Sequence, residues 1–152
     1  MPGDFSVNIE GIDELRANID KLTRAVDDAA RIAVTNGANL IERRAKQKAP
    51  VLTGTLRRSI HVDSITHLGA GRWQSLTGPS AIYARIREKG GVIKAKPNNR
   101  LGGYLLFQGS TGWAKVKSVK QTGTHYMQRA FDESVPALHE IYTAAFREAL
   151  DL

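Results

Sequence analysis

The sequence contains no cysteine. Disulfides and thiolate metal sites are therefore excluded, and the absence suits a protein assembled in a reducing cytosol. Long apolar runs are missing too: none approaches the roughly 20 residues needed to cross a bilayer, so no membrane association is expected. The opening residues MPGDFSVNIEGIDEL lack a basic start followed by an apolar stretch, so no secretory signal is predicted. Internal repeats and low-complexity tracts are absent. Aromatics are scarce at 7%, which argues against an extended base-stacking platform. Trp73, Tyr83, Tyr104, Phe107 and Trp113 do sit among basic segments, but they fit a sheet core more simply.

No constellation of catalytic groups appears. The four histidines are His61, His67, His125 and His139, and none forms an i, i+4 pair of the metalloprotease kind. His61 and His67 fall in or near a strand, where partly exposed histidines explain them better than a metal does. Gly69-Ala70-Gly71 and Gly90-Gly91 lack the strand–glycines–helix context of a phosphate cradle. Asp27-Asp28 and Asp132-Glu133 sit on helical patterns and read as solvated faces. Ser59 and Ser118 have no base nearby in sequence. The expectation is a non-enzymatic protein with no cofactor and no metal.

What is present is a chain of 152 residues with 41% hydrophobic and 24% charged residues, suited to one domain with a modest core. The net charge of +7 is unevenly distributed. Acidic residues mark the start (Asp13, Glu14, Asp20, Asp27, Asp28) and the end (Asp132, Glu133, Glu140, Glu148, Asp151). Arg43, Arg44, Lys46, Lys48, Arg57 and Arg58 occupy the middle. From Arg85 to Lys120 only Glu88 opposes the cations. Such segregation predicts either a basic face that meets acidic protein or nucleic acid, or a solvated basic surface.

The chain opens, after a short extended or capped stretch from Asp4 to Gly11, with a long helical pattern. Ile12, Leu15, Ile19, Leu22, Val26, Ala29 and Ala33 recur at three- and four-residue steps. The pattern runs on to about Lys48, for about 50–55 Å, and Ala49-Pro50 ends it because a residue before proline avoids helical geometry. Asn36-Gly37 inside it predicts a kink, a break or a close packing contact. The period then changes. Ser59 to Asp63 alternates, and Ile65 and Leu68 fall out of phase, predicting a strand with a bulge near Asp63-Ser64. Arg72 to Thr77 reads as a second strand. Ala81 to Lys89 fits helix by Ile82 and Ile86 but strand by Tyr83.

Val92 to Lys96 and Tyr104 to Phe107 read as strands flanking a long basic loop, and Trp113 to Val119 as another, with Ala114 and Val116 on one face and lysines on the other. A final helix carries Met127, Ala130, Phe131, Leu138, Ile141, Tyr142, Ala145 and Phe146 on its buried stripe, with Thr122 or Thr124 able to cap it. Pro136 predicts a kink or two consecutive helices. The expected fold is α+β: a long N-terminal helix over about 11–48, an antiparallel sheet of about four to five strands over about 57–120, and a C-terminal helix over about 124–150.

One stretch is denser than the rest: Ala49-Pro50-Val51-Leu52-Thr53-Gly54-Thr55-Leu56-Arg57-Arg58-Ser59-Ile60. Physically it is a helix stop, a turn and the start of a strand, with Leu56 and Ile60 toward the core and the arginines outward. It resembles the "AP-x-x-TG-x-L-R-x-S-I" segment of the gp10-like tail-completion and minor tail proteins of siphophages. Tyr83-Ala84-Arg85-Ile86-Arg87-Glu88-Lys89-Gly90 resembles that family's "Y-A-x-x-x-E-x-G" signature. Tyr126, Met127 and Ala130 match an aromatic, an aliphatic and an alanine that open the family's last helix, although Thr124-His125 replaces its usual proline.

The resemblance implies a single tail-completion or neck-type domain over residues 1–152, in a virion component at the head–tail junction or tail end, assembled in the host cytoplasm. A siphophage, a contractile-tail phage and a prophage remnant all fit. Members resemble small ring-forming proteins, so a homo-oligomeric ring is implied, a hexamer among the options. Its neighbours would be connector, tail-terminator or tail-tube proteins, with contact to passing DNA an option. The opposite charges of the helices and middle strands favour head-to-tail packing of subunits. The expected inter-subunit or lumen contacts are Arg57, Arg58, Arg87, Glu88, Lys94, Lys96 and Arg100, with the loop from Lys94 to Tyr104 ordering on a neighbour. Glu88 would pair with a basic neighbour, while Leu56, Tyr83 and Trp113 are expected in the core. The alternative from another class is a basic nucleic-acid-binding module using the same strip.

Overall fold

The computed structural model describes residues 10–109 and 112–150. The expected extended stretch before the first helix lies mostly outside these residues. Helix α1 spans Ile12–Lys48 without interruption. Asp13 and Glu14 in its first turn and Lys46 and Lys48 in its last complement the helix dipole. It ends at Ala49, whose ψ of 131° is the extended geometry that Pro50 imposes. Of the three outcomes open at Gly37, packing is the one realised: a Cβ there would lie 2.8 Å from Leu138 Cδ2 of the C-terminal helix.

The class is α+β as expected, and the strands are distributed over three two-stranded antiparallel ladders. After a short helix α2 (Thr55–Ser59), β1 (Ile60–His67) pairs with β2 (Trp73–Pro79). The register slips between Val62 and Ser64, placing the bulge where the broken alternation predicts it. Helix α3 (Ala84–Lys89) resolves the ambiguous segment. Then β3 (Gly91–Lys94) pairs with β6 (Ser118–Gln121), and between them β4 (Leu105–Gly109) pairs with β5 (Gly112–Val116). The strands expected on either side of the basic loop thus do not pair with each other. They pair in turn with β6 and β5, which follow one another across a bend at Lys117, and the two ladders make a two-stranded ribbon.

Helix α4 spans Tyr126–Ala149 as one element that contains Pro136. It runs antiparallel to α1: Arg44 donates to the Glu133 carbonyl and Lys48 pairs with the Glu133 carboxylate at 2.6 Å. Ser134, fully buried in this helix, donates back to the Ala130 carbonyl at 2.6 Å.

The core is small and sits where α1, α2, β1, α3 and α4 converge. Its buried members are Ala45, Ala49, Leu56, Ile60, Ala84, Tyr126 and Ala130. Alanines from three helices let the backbones approach closely, and Leu56, Ile60 and Tyr126 fill the space between. Burial of each of these larger side chains contributes about 1.5–3 kcal/mol. Truncating Ile60, fully inaccessible to solvent, to alanine would cost about 2–5 kcal/mol.

Candidate assembly interface

The dense stretch at residues 49–60 builds a helix-to-strand corner. Gly54 adopts φ +74°, a left-handed conformation that a side chain strains, and this turns the chain into α2. Residues 57–59, expected to begin the strand, are therefore the last turn of a short helix. The Ser59 hydroxyl donates to the Leu56 carbonyl at 2.8 Å and closes that turn. The Ser59 carbonyl in turn accepts the Ser80 N–H at 3.0 Å. Leu56 and Ile60 enter the core, as their spacing implies.

The segment from Tyr83 to Gly90 is organised around α4. Ala84 is buried in the core. The two Glu88 oxygens accept the backbone N–H groups of Met127 at 3.0 Å and Gln128 at 3.1 Å. Glu88 is thus turned onto its own chain, where it serves as a cap supplied from 39 and 40 residues away. Neither threonine caps α4. Thr124 instead donates through its hydroxyl to the Arg87 carbonyl at 2.9 Å, and the residue before the helix, His125, is left-handed. Gly90 and Gly123 cross so closely that a Cβ on either would lie 2.6 Å from the other segment's backbone.

These two segments face each other across a groove of about 590 Å³ lined by Pro50 to Leu56, Tyr83 and Arg87. Leu52 is 88% exposed and Ile82 fully so. Tyr83, expected in the core, is 42% exposed and lines the groove just before α3. Arg58 bends over Gly54, its Nη2 at 3.5 Å from the Thr55 hydroxyl. Arg57 is exposed on the same helical turn. The groove is thus largely apolar, with arginines beside it.

The remaining expected contacts, Lys94, Lys96 and Arg100, are all exposed and lie in the ribbon, apart from the groove. The loop between β3 and β4 is organised by one side chain. The Asn99 oxygen accepts the N–H groups of Leu101 and Gly103 at 3.1 and 2.9 Å, and its amide donates to the Tyr104 carbonyl at 2.7 Å. Trp113, expected in the core, is 68% exposed, because β5 pairs only with β4 and no further layer covers it. Lys115 Nζ sits 4.5 Å from the centre of the Tyr104 ring.

The model of the bacteriophage HK97-gp10-like tail-component family matches residues 13–97, more than half of the chain. The chain belongs to this family. No curated protein and no solved structure matches it.

The match to the HK97-gp10-like family runs from the first turn of α1 through β3 and contains both segments that flank the groove. Several residues of those segments are internal. Ala49, Leu56, Ile60 and Ala84 form the core together with Tyr126 and Ala130 of α4, so three motifs separated along the sequence meet at one point.

Two polar anchors escaped the sequence reading. Asp27, read as part of a solvated face, accepts from Trp73 Nε1 at 3.0 Å and lies 3.3 Å from His67 Nε2, fastening the β1–β2 hairpin to α1. Glu42 accepts the Val62 N–H at 3.0 Å beside the bulge and also pairs with Lys46, which holds its carboxyl below the usual range against the opposing effect of burial. The only sequence signal for either was a carboxylate on the helix face that also carries alanines. Among the described residues no group of histidines and carboxylates has the geometry of a metal site, and no helix is long and apolar enough to cross a membrane.

Proposed function

We propose that this HK97-gp10-like protein is a structural subunit of the virion, one of a ring of identical subunits that completes the tail end or neck and helps join head to tail. It acts by assembly, without catalysis. The carrying observation is how much surface the isolated chain leaves uncovered, with large apolar side chains in it. Its accessible surface is 11,689 Å², whereas a folded monomer of 16.7 kDa exposes about 7,600 Å². The excess is of the size that permanent subunit interfaces bury. Leu15, Leu22, Leu52, Ile82, Leu106 and Trp113 are all at least half exposed, and together they exceed the scattered apolar exposure of an ordinary monomer.

The test is electron microscopy of purified protein and of particles assembled without it. Rings of uniform subunit number, and heads and tails that fail to join without the protein, are expected. A strictly monomeric protein together with normally joined particles in its absence would overturn the proposal.

A basic nucleic-acid-binding module is the second reading. It is favoured by the ribbon, where Lys94, Lys96, Arg100, Lys115, Lys117 and Lys120 stand with no acidic residue among them and Trp113 and Tyr104 offer stacking faces. Affinity for an oligonucleotide that falls steeply with salt, in a protein that never oligomerises, would favour this reading over the ring.

A further inference from the structure

Two exposed apolar parts of the chain sit at opposite ends of the molecule and differ in charge. At one end α1 outruns α4. Gly37 lies against Leu138 and Tyr142, and Arg44 reaches Glu133. Carried along two antiparallel helices, that register brings the end of α4 at Ala149 level with about residue 28 of α1. The turns before it stand clear of α4, and residues 10–24 are all exposed. They carry a stripe of Ile12, Leu15, Ile19 and Leu22, which are 43–60% exposed. The stripe follows the three- and four-residue spacing of a helix seam and continues in register into the buried Ala29 and Ala33. Residues 10–24 hold four carboxylates, Glu10, Asp13, Glu14 and Asp20, and three cations, Arg16, Lys21 and Arg24, with Asp13 and Asp20 seven residues apart. No ion pair engages either among the described residues.

At the other end is the ribbon. Its base is pinned by the Gly90–Gly123 crossing next to the first turn of α4. Six cations and no anion lie between residues 91 and 121. Val92, Leu106 and Trp113 are each more than half exposed. The ribbon's strands pair with one another and with no other strand.

We infer that the ribbon of one subunit docks along the projecting first turns of α1 in the next copy of the chain. The inference rests on the ring reading above and assigns it the contacting surfaces. Charge favours the pairing: a ribbon of six unopposed cations meets the segment of α1 where carboxylates outnumber cations by four to three. Reach excludes the same contact within one subunit. Residues 112–121, bent at Lys117, span at most about 34 Å. The ribbon's base lies level with the end of α1, from which Leu22 is about 39 Å away and Ile12 about 54 Å. Two different surfaces at opposite ends make a heterologous contact, which propagates head to tail and closes into a ring when the rotation per subunit divides the circle.

The experiment uses the full-length protein in two arms. In the first, sedimentation measures assembly of K115E/K117E, of D13K/D20K, and of the two variants mixed. Each alone is expected to need about tenfold more protein or greater to assemble, and the mixture is expected to recover. In the second, the absence of native cysteine makes I19C and L106C the sole thiols. Under mild oxidation, the mixture of the two single variants is expected to give the I19C–L106C heterodimer.

Unchanged assembly of K115E/K117E with no mixed disulfide would overturn the docking inference and leave the ring standing. An I19C homodimer in place of the heterodimer would overturn it in favour of helix–helix pairing. Loss of oligonucleotide binding by K115E/K117E with assembly unaffected would overturn it in favour of a nucleic-acid surface. Wild-type protein that stays monomeric at every concentration and salt level, with particles that join normally in its absence, would overturn both docking and ring.

Discussion

The Glu88 carboxylate accepts the Met127 backbone N–H at 3.0 Å, so a side chain from α3 caps the helix that closes the chain. A second bond from Gln128 makes the cap bidentate. The first N–H groups of a helix have no partner within it, and a carboxylate there also meets the positive end of the helix dipole. Replacing Glu88 with alanine should cost about 1–2 kcal/mol in urea-induced unfolding, and with glutamine less, because one acceptor remains. An E88A protein as stable as wild type would show that the cap contributes nothing.

The crossing at Gly90 and Gly123 permits no side chain. A Cβ at Gly90 would lie 2.6 Å from the Gly123 nitrogen and 2.8 Å from the Gln121 oxygen, both backbone atoms that cannot swing aside. Gly90 also has φ +74°. G90A and G123A should each lose about 3 kcal/mol or more, or fail to accumulate as folded protein. Thermal melting compared with G102A, where a Cβ meets open space, separates this crowding from the general effect of losing a glycine.

Tyr126 is fully buried, and its hydroxyl has no hydrogen-bond partner among the described residues. Burial, with Glu88 and Tyr83 adding to it, pushes the phenol from 10.0 up to about 12. A folded value raised above the unfolded one favours the protonated, neutral phenol. Its contribution is fully present below pH 10 and is lost as pH rises through about 12. Y126F should change stability at neutral pH by less than about 1 kcal/mol. It should also flatten the loss of stability that the wild type shows over that alkaline window, measured by denaturant unfolding across pH.

Glu42 gives the opposite dependence. Its hydrogen bond from Lys46 holds the carboxyl below 4.5. The stability this confers is present above pH 4.5 and is lost as pH falls through the lowered value. Denaturant melts of E42Q should show a shallower acid limb than wild type. Identical limbs would mean that the interaction with Val62 and Lys46 is not formed in solution.

Asp27 fastens the hairpin through Trp73 and His67. W73F and D27A should each destabilise by about 1 kcal/mol or somewhat more. Combined, they should cost less than their sum, because each alone removes the same hydrogen bond. Strict additivity would place the two side chains out of contact.

The sequence by itself determined whatever depends on neighbours along the chain. Ala49-Pro50 ends α1 because proline constrains the residue before it. Broken alternation at Asp63 and Ser64 marks the bulge because the side-chain period of a strand is two. The two motifs at 49–60 and 83–90 named the phage tail family because they are dense strings of fixed residues.

Tertiary structure decided what depends on residues far apart in the chain. Whether Leu56-Arg57-Arg58-Ser59 is strand or helix turned on the conformation of Gly54 and on the core that Leu56 must reach. Glu88 looked like a charge awaiting a partner, and its partners are N–H groups of α4 that carry no trace in side-chain sequence. Alternation in Trp113 to Val119 foretold an amphipathic strand, yet periodicity records only that one face differs from the other. Whether anything covers that face is a question of packing, and among the described residues Trp113 and Ala114 are left exposed.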